Sequence, residues 1–330
     1  MNHKSQNYPR DMTYINSIGE ISPQGNMEDG HFVCVDPVYS EIIHPLQLRR
    51  KSRILKMGMG ASGICINRLP EAAIDAIIVG TGLACNADLE KFHCLIFDGN
   101  EQSLPPTPFI NSSNNSVAAQ IAMMHQITGY NNTFCHRGAA FEAALTDAVM
   151  LLGEGEAQHV LAGGIDEYSP QYHSMLNEVH EKKNTVPAGE GAVFFILEKE
   201  QRENTFAGLK GVHSFLELND SDAQFIKTEI SVFLQRHSLD MADIDVFVSG
   251  RNGNTIADAI YNELEADCFP HTEKVDFKHL CGEYMTSTAF ALARAARHLK
   301  GQKNRSALIY NHYRHYHYIN HSLVLLETVS

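Results

Sequence analysis

Short apolar runs alternate with segments carrying apolar residues at helical spacing along nearly the whole chain, and this alternation restricts the fold more than any other feature. A strand, a helix and a second strand in succession return the chain to the same sheet, so the pattern predicts an α/β protein with mainly parallel sheets. Strands are expected over Met12 to Ile18, Ala76 to Gly80, Asn132 to Phe134, His159 to Ala162, Ala192 to Leu197, Asp245 to Ser249, Ala307 to Asn311 and Ser322 to Leu326. Helical spacing runs over Val117 to Ile127, Gly138 to Leu152, Ser221 to Gln235 and Met285 to Leu299. The polar stretch Lys199 to Asn204 is the one seam, dividing residues 1–204 from 205–330. Both parts end with a helix followed by an apolar strand, His159 to Ala162 and then Ala307 to Asn311, which points to an old duplication.

Composition narrows the partners. Hydrophobic residues make up 44% and charged residues 20% of 330, enough apolar material for a packed core throughout. The formal net charge of -13 repels phosphate backbones and anionic lipid, so nucleic acid is not an expected partner. No apolar run reaches the roughly 20 residues that span a bilayer, and MNHKSQNYPR lacks a signal-peptide core; a cytoplasmic protein with no membrane insertion is expected. Arg49-Arg50-Lys51-Ser52-Arg53 reads as a solvated helix face, with a dock for an acidic partner as the sharper alternative. Gly58-Met59-Gly60-Ala61-Ser62-Gly63 matches G-x-G-x-x-G but follows no strand, so no dinucleotide site is expected and no cofactor is assigned. Seven scattered cysteines without C-x-x-C spacing indicate neither a disulfide framework nor a zinc site.

One cysteine has a special context. Asn131-Asn132-Thr133-Phe134-Cys135-His136-Arg137-Gly138 runs from a short strand into a small-residue helix. A thiol at such a junction faces the positive end of the helix dipole, which favours the thiolate, and unpaired N–H groups there can hold an oxyanion. On spacing alone a buried, inert cysteine is as good a reading of the same residues.

The order of features around it resembles the β-ketoacyl synthases, the thiolase-like condensing enzymes. Pro108-Phe109, Asn114-Asn115 before a helix, the Thr-x-Cys-x-x-Gly elbow, and Val160-Leu161-Ala162-Gly163-Gly164 leading to an acidic residue follow that family's order. Ile18 to Pro23 is similar to its opening strand, and Gly189-Glu190-Gly191-Ala192 to a later one. The resemblance implies a thiolase-like fold of two pseudo-duplicated βαβαβ halves in α-β-α-β-α layers, with Cys135 as the acyl-accepting nucleophile. It also implies two histidines and a lysine from the second half, and there the chain departs. Ser249-Gly250-Arg251-Asn252-Gly253-Asn254-Thr255 stands where a His-Gly-Thr motif belongs, with Gly250 at or next to the histidine. Aligning Lys278-His279-Leu280-Cys281-Gly282-Glu283 with Lys-x-x-x-Gly-His keeps Lys278 and the glycine but puts Glu283 at the second histidine; His279 offers a second register that misplaces both. The small C-terminal turn of the family is replaced by Asn311-His312-Tyr313-Arg314-His315-Tyr316-His317-Tyr318, whose bulk would crowd the site. The histidines at 312, 315, 317 and 321 have no cysteine or carboxylate beside them in sequence, and no metal is assigned to them.

Two functions follow from the resemblance. One is a catalytically reduced subunit resembling a chain-length factor, in a polyketide-type, aryl-polyene or flexirubin-type pathway. Its partners would be a ketosynthase paralogue, or a second copy of itself, and an acyl carrier protein. The other is a Cys135-dependent acyltransferase, ketosynthase or thioesterase acting on acyl-carrier thioesters, with His136 or Glu283 as base. Cys135, Lys278 and Glu283 are the candidate site residues in either case.

Overall fold

The computed structural model describes residues 12–97, 104–179, 186–218, 222–315 and 318–329. The first eleven residues, Ser221, Tyr316 and His317 lie outside them. Twelve strands run in chain order as β1 (Thr13–Ile21), β2 (Met27–Glu28), β3 (His31–Phe32), β4 (Ala76–Thr81), β5 (Tyr130–Cys135), β6 (His159–Asp166), β7 (Gly191–Glu198), β8 (Ala207–Leu218), β9 (Val246–Ser249), β10 (Glu273–Asp276), β11 (Ser306–His315) and β12 (Tyr318–Glu327). The helices are α1 (Pro45–Leu48), α2 (Arg53–Asn67), α3 (Asn86–Phe97), α4 (Pro106–Asn111), α5 (Ser116–His125), α6 (Ala140–Glu154), α7 (Pro170–Val179), α8 (Ala223–Arg236), α9 (Ala259–Asp267), α10 (Lys278–Cys281) and α11 (Thr288–Leu299).

Among the described residues ten strands form one sheet in the order β10-β9-β11-β12-β8-β1-β7-β6-β4-β5, and β2 pairs with β3. Counted from its own first strand, each half runs third, second, fourth, fifth, first. In the first half β4 is parallel to β5 and β6, while β7 is antiparallel to β6 and β1. The second half repeats this with β9 parallel to β10 and β11, and β12 antiparallel to β11 and β8. The antiparallel pair β1 and β8 joins them, Thr13 facing Leu209 and Ile15 facing Ala207. The duplication is therefore present in the strand order and strand directions.

Strands covered on both faces read as unbroken apolar runs rather than alternating ones. In β4, Ile77 and Val79 face α2 and α5, with Ile54, Val117 and Ile121 against them. Its Ile78 faces the opposite way, into a central core with Phe141 and Leu145 of α6 and Leu292 of α11. That core also takes Val246, Val248 and Ile309 from the second half. A third core lies under α8 and α9, where Ile230, Phe233, Tyr261 and Leu264 cover Phe247, Leu308 and Leu323. The three cores separate five layers, α-β-α-β-α, with α6 and α11 in the middle.

Several elements differ from the sequence reading. β8 and β10 are additional strands. Gly58, Gly60 and Gly63 lie inside α2, where added Cβ atoms would stand 2.7 Å from Val117, 2.8 Å from Ile21 and 2.6 Å from Ile42. The G-x-G-x-x-G pattern is a helix face that packs closely. The basic stretch before it is no simple solvated face: Arg53 pairs with Asp36 at 2.8 Å and with the buried Glu190, which also accepts from Cys34 N at 2.9 Å. Among the described residues no helix is long and apolar enough to cross a membrane.

Candidate active site

The carboxyl ends of the parallel strands β4, β5 and β6 lie side by side, and there the candidate residues of the first half meet. Cys135 ends β5 in register with Thr81 of β4. After His136 the chain turns sharply at Arg137, whose φ of 66° lies in the left-handed region. A non-glycine residue held there costs about 1 kcal/mol or more. The Arg137 N–H donates to Gly82 O at 3.2 Å, closing the elbow across β4. A 3₁₀ turn, Arg137–Ala139, then leads into α6. Gly80 lets that helix settle on the sheet, since a Cβ there would stand 2.5 Å from Ala140 O and from Phe141 Cα.

Cys135 is half-buried, its Sγ 3.8 Å from Gly82 O. The thiolate expected from the helix dipole is not favoured. Burial first, and the Asp166 carboxylate second, push the thiol up, with Arg137 pulling the other way. The physical reason is distance along the chain: α6 starts five residues after the cysteine, so its free N–H groups follow the turn. His136 is exposed, its ring edge-on to Phe134.

Asp166, at the end of β6, ties this corner to the second half. It accepts from Gly82 N at 2.7 Å and Thr81 Oγ1 at 3.2 Å on one oxygen, and from Thr286 N and Oγ1 at 2.8 Å each on the other. Burial outweighs these donors and raises its carboxyl to about 6.

In the second half the loop after β9 and the turn after α10 come together. Lys278 is 2% exposed and donates to both Glu283 oxygens at 2.9 and 2.7 Å. Asn252 Nδ2 donates to the same carboxylate at 2.7 Å. Asn252 is itself fixed because its N–H and that of Gly253 reach Asp258 at 3.0 and 2.9 Å. Lys278 is thus an interior charge paired with a Glu283 side chain that is 19% exposed, whereas His279 is exposed. Gly250 donates its N–H to Tyr310 O at 2.9 Å. A side chain at 250 would run into Asn311 Oδ1 and come within 2.6 Å of Tyr261 Oη, so the space a histidine needs there is filled.

The bulky C-terminal stretch does crowd the elbow. A Cβ on Gly138 would stand 2.6 Å from Tyr313 Cβ and 2.7 Å from its ring, so Tyr313 of β11 sits directly on the turn after Cys135. Tyr172 lies beside it, and burial pushes both phenols up. Two of the four C-terminal histidines are core side chains. His312 stacks on Tyr261 at 5.1 Å. His321 lies parallel to Phe215 at 4.7 Å, with Nδ1 2.9 Å from Tyr310 Oη and Nε2 3.1 Å from Glu217. A carboxylate therefore does join His321, supplied by β8. Both ring nitrogens are occupied, and among the described residues no three His, Cys, Asp or Glu side chains are grouped to hold a metal.

Sequence reasoning missed Asn252 and Thr286, and it named the crowding C-terminal stretch without singling out Tyr313 within it. The Asn252-Gly253-Asn254 run six residues before Asp258 was the available signal, since asparagine and glycine ahead of an aspartate favour a folded loop that can aim a side chain inward.

The chain matches no protein-family model and no curated protein sequence. Its backbone does match solved structures. The ishigamide ketosynthase/chain length factor superposes with a TM-score of 0.81 at 18% identity, over 97% of this chain and 100% of that one. The complex of ketosynthase ApeO with its chain length factor ApeC from Xenorhabdus doucetiae matches at 0.78 and 13%, over 100% of both chains. A type II polyketide synthase, AntDE bound to its acyl-carrier protein AntF, matches at 0.74 and 12%, over 97% and 100%. The chain therefore has the thiolase-like fold of the ketosynthases, chain length factors included.

Proposed function

We propose that this chain is the non-condensing, chain-length-factor-like subunit of a ketosynthase pair that extends acyl chains on an acyl carrier protein. The observation that carries this reading is the second-half constellation. Condensation by decarboxylation needs a donor that stabilises an enolate oxygen. At or next to the two positions where the family resemblance implies histidines, Gly250 has no room for a side chain and Glu283 is an acceptor held by Lys278 and Asn252. A carboxylate there repels a developing enolate instead of binding it. Tyr313 on the elbow and the unfavourable environment of the Cys135 thiolate act in the same direction.

A surface for a partner subunit lies beside the elbow. β5 is an edge strand of the ten-stranded sheet, so one row of its N–H and C=O groups is without a neighbouring strand among the described residues. Phe97, Phe109, Ile110 and Met123 are exposed on the neighbouring α3, α4 and α5, Phe97 to 85%. Association through this face would cover them. Among the matched structures one pairs a ketosynthase with its chain length factor and another pairs a ketosynthase with its acyl-carrier protein, and the partners are inferred for this chain by that analogy.

The second reading is acyl transfer by Cys135 itself, favoured by one observation: the thiol remains half-exposed. Intact-protein mass spectrometry after incubation with acyl-carrier thioesters separates the two. The subunit reading expects no acyl adduct that depends on Cys135. An adduct on wild type that is absent from Cys135→Ala would establish the transferase reading in its place.

A further inference from the structure

A cleft opens at the opposite end of α6 from the elbow, where the late turns of that helix meet the start of β8 and the end of α8. Its enclosed interior is small, about 40 Å³, and the rest is open mouth. Val149, Met150, Leu209 and Phe233 make an apolar floor. The cleft exists because β8 is irregular there. Leu209 faces Leu326 and Gly211 faces Leu325 of β12, leaving Lys210 as an extra residue in a bulge. Gly211 adds no side chain, and the His237 ring lies where its Cβ would stand.

At the mouth Lys210 pairs with Glu327 at 2.6 Å. His213 Nε2 lies 3.3 Å from Glu229, an ion pair only when the imidazole is protonated. Arg236, in the last turn of α8, is exposed and has no acidic partner among the described residues. The His237 ring packs edge-on to Phe233 at 5.0 Å. Burial, with Lys210 and Arg236 adding to it, keeps that imidazole's pKa low, so it is neutral at neutral pH. An apolar floor beneath an exposed guanidinium is complementary to an apolar chain ending in one negative charge. A guanidinium fork suits a planar carboxylate through two parallel hydrogen bonds.

We propose that this cleft binds an amphipathic monocarboxylate, with its hydrocarbon chain on the floor and its carboxylate on Arg236. The site is separate from Cys135 and does not depend on the role assigned to that residue.

The test is calorimetric titration of the 330-residue chain with octanoate and with octan-1-ol, repeated on Arg236→Glu and Met150→Trp. Both substitutions fall on exposed positions, and circular dichroism checks that the fold is kept. Octanoate is expected to bind one to one, with octan-1-ol weaker by about tenfold or more and Arg236→Glu losing a similar factor. Met150→Trp fills the floor and weakens octanoate binding as well. Absence of octanoate binding would overturn the proposal. So would undiminished binding by Arg236→Glu, which would put the ligand elsewhere, or equal affinity for the alcohol.

Discussion

Lys278 carries its charge at 2% exposure against the Glu283 carboxylate. Taking one member of such a pair away leaves the other without compensation in a poorly solvating interior, at a cost of about 3–5 kcal/mol. Glu283→Ala is expected to lose that much in urea unfolding, and Lys278→Met combined with Glu283→Leu to recover most of it. A loss below about 1 kcal/mol in the single variant would show that the pair is not the interior contact described. His321 supplies a pH dependence. Burial, followed by nearby Arg314, holds its pKa at about 4 against 6.5 for a free imidazole. Below pH 6.5 the unfolded chain takes up a proton that the folded site refuses. The contribution of neutral His321 is therefore complete above about pH 6.5 and declines as pH falls toward 4, by about 3 kcal/mol in all. His321→Phe removes this dependence, so the stability gap between wild type and variant should narrow over that interval; unfolding curves at pH 7, 5.5 and 4 measure it, and a constant gap would refute the assignment. At this scale the sequence was legible where a residue sits within a few positions of its partner, as Lys278 and Glu283 do. It was silent where the partner comes from a distant strand, as Glu217 reaches His321 across 104 positions.

The packing of α6 on the sheet depends on Gly80. Its missing Cβ leaves room for the backbone at Ala140 and Phe141, which cannot move aside as a flexible side chain would. Gly80→Ala should therefore cost about 1–3 kcal/mol, read as a lower thermal midpoint; an unchanged midpoint would mean the helix has slack. Gly138→Ala is expected to be costly too, because the new methyl group meets Tyr313 Cβ and its ring; Tyr313→Gly, which removes that Cβ, should relieve the clash, whereas Tyr313→Ala should relieve only the part due to the ring. Elements were recognisable from sequence when their apolar pattern was strong. β4, β6 and β7 are continuous apolar runs, and α6 and α11 show helical spacing. β8 escaped because Gly208, Lys210 and Gly211 break its pattern at the bulge, and the full length of α2 because three glycines interrupt its helical spacing.

For the whole molecule, the duplicated strand order sets two equivalent corners against each other, one ending in Cys135 and the other in the Asn252, Lys278 and Glu283 cluster. Only the first was visible as a local motif. The second needs three chain segments brought together by folding, and Gly250 and Tyr313 gain their meaning only from what fills the space beside them. The central claim is that this arrangement supports a condensing partner without condensing. It is tested most directly by co-expressing the chain with a ketosynthase from the same pathway and measuring elongation of carrier-bound acyl chains by the purified assembly. A one-to-one complex is expected, its elongation unchanged by Cys135→Ala in this chain. Elongation by this chain alone, abolished by Cys135→Ala, would contradict it.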